Sequence, residues 1–206
     1  MSEARGRLVA LTVDAEHPDG RRCAPGNCLR ILGTLDQAGL RATFFLQGRW
    51  VSAYPDMARE VARRGHLIGN HSHYHARMPL LSQAGQSSDV RAAQEVITSV
   101  VGVDPRPWFR SPFGAGFEDP GLTQNLARLG YRNVPWDADG QDWESDRTTL
   151  EVEESLVGQA LAGEGPRIAL LHSWTDQAAE ALPGILTRLE QAGTEFVTVD
   201  QVLDGI

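Results

Sequence analysis

A regular alternation of short apolar runs with helical-period segments constrains this sequence more than any other feature. Residues 7–13, 42–46, 65–69, 107–110, 131–136, 167–171 and 195–199 are short and mostly apolar, with β-branched or aromatic residues and flanking glycine, proline or aspartate. That pattern predicts buried strands. Between them, apolar residues recur at helical spacing. One helix is expected from an Asn27 cap through Leu29, Ile31, Leu32 and Leu35 to Ala38, closed by Gly39. A second is expected at 56–64, opened by Pro55 and stopped by Gly65, and others at 87–101, 122–129, 150–161 and 178–191, with Asp200 capping a final turn. Strands separated by helices form a parallel sheet, so the class is α/β. Seven such units either close into a barrel or lie open as a doubly wound sheet. In both, functional residues gather at the carboxyl ends of strands. Asp14, His71, Arg110, Asp139 and His172 all fall there.

The chain has 206 residues and no internal linker or low-complexity tract, so one domain, 1–206, is expected. Its 19 basic and 27 acidic residues leave a net charge of −8. That balance disfavours nucleic acid, anionic membranes and polyanionic substrates, and suits a neutral or cationic one. No stretch approaches the about 20 apolar residues of a membrane helix. The first apolar run, Leu8 to Val13, is too short for a secretion signal, so a cytoplasmic location is the expectation, with secretion the alternative. Cys23 and Cys28 are the only cysteines and are expected as thiols rather than as a local disulfide.

The stretch Gly69-Asn70-His71-Ser72-His73-Tyr74-His75 contains three of the chain's six histidines. His71 and His75 are four apart, and on a helical turn their rings would point the same way. Paired imidazoles are good ligands for zinc and similar divalent ions. His73 would point elsewhere, and His17 and His66 read as structural. The wider set suits hydrolysis of an unactivated acyl bond. A metal at His71 and His75 would polarise the carbonyl and bind water, and Asp14 would take that water's proton. Arg110 would hold Asp14 ionised and aimed. His172 would protonate the leaving group, with Asp139 raising its pKa. Backbone N–H groups in the Pro112-Phe113-Gly114 turn would receive the oxyanion, and Tyr74, Phe113, Trp143 and Trp174 would stack on sugar faces. Taken singly, Asp14 and Asp139 are turn residues, Arg110 a surface ion-pair partner and His172 a core imidazole; their common position carries the reading. Nucleophile-elbow, P-loop and dinucleotide motifs are absent from the sequence.

In order and spacing these motifs resemble those of the polysaccharide deacetylases, carbohydrate esterase family 4. The family's Thr-Phe-Asp-Asp-Gly looks like Thr12-Val13-Asp14-Ala15-Glu16. Its His-Ser/Thr-x-x-His is similar to His71-Ser72-His73-Tyr74-His75, and its Arg-x-Pro-x-Gly to Arg110-Ser111-Pro112-Phe113-Gly114. Its Asp-x-x-Asp-Trp is similar to Asp139-Gly140-Gln141-Asp142-Trp143, and its Leu-x-His to Leu170-Leu171-His172. The resemblance implies a distorted (β/α) barrel of about seven strand–helix units. It implies metal-dependent removal of an N- or O-acyl group, usually acetate from an amino sugar. It places the base on Asp14, the acid on His172, the base's partner on Arg110, the acid's tuning residue on Asp139 and the oxyanion donor on the Phe113 amide.

The sequence departs from the family at Ala15, where the family has a second, metal-binding aspartate. Hydrolytic zinc usually keeps three protein ligands and a water. Glu16, His17 and Asp19 in the following loop are the candidates for the third. Glu16 is the expected one, because it is nearest to Asp14 and its extra methylene compensates for the shift. The expected cofactor is therefore one divalent ion, zinc by preference, on His71, His75 and Glu16. The expected partner is an N-acylated sugar or a small amide. The alternatives are a small-molecule amidase or cyclic-imide hydrolase on the same scaffold, or a catalytically silent carbohydrate-binding barrel.

Overall fold

A computed structural model describes residues 7–18 and 23–204. In chain order its elements are β1 (Arg7–Ala15), α1 (Gly26–Ala38), β2 (Thr43–Leu46), α2 (Gly48–Ala53), α3 (Pro55–Arg63), β3 (Leu67–Asn70) and α4 (Gln83–Val101). There follow β4 (Trp108–Phe109), α5 (Pro120–Arg128), β5 (Arg132–Asn133), β6 (Ala138–Asp139), α6 (Thr149–Leu161), β7 (Arg167–His172), α7 (Asp176–Gln191), β8 (Thr194–Val197) and α8 (Val199–Leu203). The pairings β1–β8, β3–β4, β4–β5 and β6–β7 are all parallel. The fold is α/β, of the distorted (β/α) barrel class. The strand unforeseen in the sequence is β6, two residues long within an Asp- and Gly-rich stretch that reads as a loop.

The described residues fall into two compact groups. The first takes in 7–13, 27–43 and 136–204. Here β1 is buried from Val9 onward, without the alternation of a half-exposed strand, as a strand covered on both faces requires. Parallel β8 lies beside it in the register Val9↔Phe196, and Thr12 Oγ1 donates to the Ala169 carbonyl of β7 at 2.7 Å. α1 buries Cys28, Ile31, Leu32 and Leu35, one stripe at helical spacing, and Gly39 at φ +67° closes it. Thr148 and Glu151 form a capping box that starts α6.

Two expected caps are corrected in this group. Asn27 lies inside α1, and its Nδ2 donates to the Trp174 carbonyl and the Asp176 carboxylate. The last helix is capped by Thr198 with Gln201, not by Asp200, because the helix begins two residues earlier.

The second group takes in 14–18, 23–26 and 44–135. β3 pairs with β4 through Asn70↔Phe109, and β4 with β5 through Trp108↔Arg132. Met78, Val90, Phe109, Leu122, Leu126 and Tyr131 form a buried cluster beneath α4 and α5. Ser82 caps α4 by accepting the Gly85 N–H, and Gly102 at φ 78° ends it. No helix among the described residues is long and apolar enough to cross a membrane.

Candidate active site

The second group contains a buried set of charged groups at strand ends. Asp14 is the penultimate residue of β1 rather than the first beyond it, and Glu16 is the first residue after the strand; each is 3% exposed. Arg110, which follows β4, is fully buried. Its Nη1 donates to Asp14 Oδ1 at 2.9 Å, and its Nε and Nη2 donate to the Val134 and Pro135 carbonyls at 3.3 and 3.4 Å. Its guanidinium carbon sits 4.2 Å over the Phe45 ring. A guanidinium fixed on so many sides holds a carboxylate in one orientation.

His71 is set by the strand that delivers it. Its backbone N–H donates to the Leu46 carbonyl at 3.0 Å, extending β3 alongside β2. Nδ1 lies 2.9 Å from the Arg110 carbonyl. A carbonyl only accepts, so Nδ1 carries the proton, and in the neutral ring Nε2 is the lone-pair nitrogen. That Nε2 is 2.9 Å from Glu16 Oε2 and 3.6 Å from Asp14 Oδ2. His75 Nε2 lies 2.5 Å from the same Glu16 oxygen. One ligand atom from each of Glu16, His71 and His75 lies within 4.8 Å of the other two. Two imidazole nitrogens converging on one buried carboxylate form a donor set suited to a divalent ion, with the tautomer of His71 already fixed for ligation. Burial opposes ionisation of Glu16, but hydrogen bonds and charge from His71 and His75 hold its carboxyl well below the ordinary value. Burial likewise opposes a charged His71, yet Asp14 and Glu16 push its pKa up.

His71 and His75 do not converge by helical spacing. Residues 71–77 form no helix, and Ser72 and His75 take positive φ values of 66° and 59°. The expectation of a helical turn is corrected: a side-chain-braced loop brings the rings to a centroid distance of 5.1 Å. Of the other third-ligand candidates, His17 turns away; its N–H donates to Gln47 Oε1 at 2.8 Å and its ring meets Tyr54 edge-on. Asp19 lies outside the described residues. His66 packs against Phe44, as a structural residue would. Phe113 has φ 60°, and among the described residues nothing accepts its N–H. Its half-exposed ring meets that of His75 at 4.4 Å, tilted by 50°, and lies under Arg77 at 4.2 Å. Tyr74 is exposed.

In the first group, His172 ends β7. Its Nδ1 is 2.9 Å from Asp142 Oδ1, and its backbone N–H donates to Asp142 Oδ2 at 3.1 Å. Thr175 Oγ1 donates to that Oδ2 at 2.6 Å and accepts the Ala178 N–H, so the cap of α7 also anchors the carboxylate. The carboxylate on the His172 ring is therefore supplied by Asp142, a position for which the sequence reading named Asp139. Asp139 Oδ1 accepts the Gln141 N–H at 2.7 Å, a turn contact. Trp174 is half-buried against His172, with 5.9 Å between ring centres, and Trp143 is exposed. Sequence reasoning left Asp142 and Thr175 without a role. The Asp139-x-x-Asp142 spacing offered two carboxylates, and the fold puts the second on the His172 Nδ1.

The chain is similar to known proteins. The sequence profile of the polysaccharide deacetylase family matches residues 2–134. A peptidoglycan-N-acetylglucosamine deacetylase of Bacillus cereus is 28% identical over 171 residues, 81% of this chain and 62% of that protein. The peptidoglycan-N-acetylmuramic acid deacetylase PdaC of Bacillus subtilis is 31% identical over 95% of this chain and 38% of its own length. The chain thus spans less than two thirds of either curated relative. A solved structure of B. subtilis PdaC superposes with a TM-score of 0.82 at 28% identity, covering 97% of this chain and 91% of that one. A mutant of a family 4 pseudoenzyme, with restored enzymatic activity, shares the fold at a TM-score of 0.86 and 24% identity, over 98% of this chain and 69% of that one. With a profile match across most of its length, this chain belongs to the polysaccharide deacetylase family.

Proposed function

We propose that the chain is a metal-dependent deacetylase that hydrolyses the N-acetyl group of an amino sugar, with peptidoglycan as the substrate class. The observation that carries this reading is the Glu16–His71–His75 cluster, whose ligand atoms lie within 4.8 Å of one another, with the Arg110-paired Asp14 only 3.6 Å from His71 Nε2. A binding module has no use for a buried carboxylate held ionised beside two imidazoles, because burying such charges is costly. That the B. cereus and B. subtilis relatives are peptidoglycan deacetylases supports the substrate class.

Glu16, His71 and His75 would hold one divalent ion, zinc by preference, which when bound polarises the acyl carbonyl and makes water acidic. Asp14 accepts the proton of the attacking water, and Arg110 keeps that carboxylate ionised and aimed. The Phe113 N–H donates to the oxyanion as the carbonyl carbon becomes tetrahedral. The leaving amine must depart protonated, and His172 supplies that proton. Asp142 stabilises the imidazolium before the transfer, and Thr175 keeps the carboxylate from turning. Tyr74, Phe113, Trp143 and Trp174 offer faces for sugar rings.

The test is metal content of the purified protein together with acetate release from N-acetylated glycans, in wild type and Glu16→Ala. Wild type is expected to carry one equivalent of metal and release acetate, and the variant to lose both. Full metal occupancy in Glu16→Ala would remove Glu16 from the site. Wild-type protein with metal but no acetate release from any N-acetyl glycan would refute the activity.

A further inference from the structure

The loop that carries His75 is held by side chains from outside its own backbone. Between His71 and His75 four consecutive N–H groups have no helical or strand partner, and each is taken by a side-chain oxygen. Asn70 Oδ1 accepts from Ser72 at 2.8 Å, Asp89 Oδ1 from His73 at 2.9 Å, Asp89 Oδ2 from Tyr74 at 3.1 Å, and Ser72 Oγ from His75 at 3.0 Å. Two residues of the loop stand at positive φ without being glycine, a conformation that persists only where surroundings over-determine it. Asn70 is in turn tied to α4 and α5's neighbour: its Nδ2 donates to the Val90 carbonyl at 3.0 Å and to Tyr131 Oη at 3.1 Å. Asp89 and Val90 are adjacent on α4, so the loop's N–H groups are referenced to one turn of that helix, while the Ser72 and His73 carbonyls accept from the Gly48 and Arg49 N–H groups at the start of α2, at 3.0 and 3.3 Å.

We infer that Asp89 is a positioning residue for the metal ligand His75, acting through the two amides that precede it. The inference rests on the reading of Glu16, His71 and His75 as a metal site. Asp89 is 5% exposed, and among the described residues it forms no ion pair. Its charge is solvated by these two N–H groups, and charge-assisted bonds of this kind are stronger and more directional than neutral ones. His71 is placed by its strand and does not need Asp89. His75 leaves the loop at a positive φ, with the Ser72 hydroxyl on its own N–H, so the place from which its ring reaches Glu16 and Phe113 depends on the preceding two peptides.

Asp89→Asn tests the assignment. An amide offers one acceptor and turns its NH2 toward the second N–H, replacing a bond with a repulsion. Zinc affinity, measured by competition with a chromophoric chelator, should fall about 10–100-fold, the usual cost of losing a partner that orients a ligand. The cobalt(II) spectrum of the variant should change in band position and intensity. Lower thermal stability of the metal-free variant with unchanged zinc affinity and cobalt spectrum would overturn the positioning role. Wild-type protein that binds neither ion would instead overturn the metal site itself, and this inference with it. If the variant does not fold, amide hydrogen exchange in the wild type decides. The His73 and Tyr74 amides should be protected, and exchange at the rate of an exposed loop would overturn the clamp.

Discussion

Replacing Arg110 with methionine should be the most damaging single change to this fold that leaves apolar volume in place. The side chain is fully buried, and its guanidinium is paired with the nearly buried Asp14 at 2.9 Å. Removing one partner of a buried pair strands the other charge, which costs about 3–5 kcal/mol. The Val134 and Pro135 carbonyls would lose donors, but at 3.3 and 3.4 Å these bonds are long, and each adds at most about 1 kcal/mol. Loss of the cation–π contact with Phe45 is partly offset by a sulfur–aromatic contact from methionine. A net loss of about 4 kcal/mol is a large share of the about 5–15 kcal/mol that holds a typical domain together. At about 2–4 °C per kcal/mol for a chain of this size, the unfolding midpoint should drop on the order of 10 °C. The assay is thermal unfolding of metal-free protein by circular dichroism, with Arg30→Met as the control. Arg30 meets Asp176 at 3.4 Å on an exposed surface, and its loss should leave the midpoint within experimental scatter. If Arg110→Met costs no more than Arg30→Met, the buried pair is not what holds these residues together.

Three further outcomes are expected. Asp14→Asn should leave the fold intact and lower turnover by about 10²–10⁴; near-normal turnover would exclude Asp14 as the base. Asp142→Asn should lower turnover and blunt the alkaline limb of the rate profile more than Asp139→Asn does, because Asp142 is the carboxylate on His172 Nδ1; equal effects would return the tuning role to Asp139. His71 has a raised pKa, against the opposition of burial, from the charges of Asp14 and Glu16. In metal-free protein this contributes stability that is fully present below the ordinary imidazole pKa and is lost as pH rises through the folded-state value. A ligating ring must be unprotonated, so zinc affinity should climb with pH over the same window; an affinity constant between about pH 5.5 and 8 would show that no imidazole proton is displaced.

Apart from β6 and the short α2, the strands and helices are legible in the sequence because their signals are local. Apolar period, a flanking glycine or proline and a cap residue all act within one or two turns of chain, and β7 with its terminal His172 follows from Arg167 to Leu171 alone. Of the two corrected caps, Asn27 is where a local rule meets a distant partner, since its side chain is drawn to Trp174 and Asp176 across the sequence; the other is a choice between neighbours, Thr198 and Asp200. Glu16 was also within reach of sequence reasoning, since a missing carboxylate at Ala15 leaves few neighbours able to ligate. The tertiary structure alone decided three things. It put the Asp142 carboxylate on His172 Nδ1, with Thr175 at the head of α7 holding the other oxygen. It brought His71 and His75 together through positive-φ residues rather than a helical turn, because four unpaired amides found oxygens on Asn70, Ser72 and Asp89. It buried Arg110 against Asp14, 96 positions away in the chain, since a charge pair of that separation is specified by packing around it and leaves no periodic trace in the sequence.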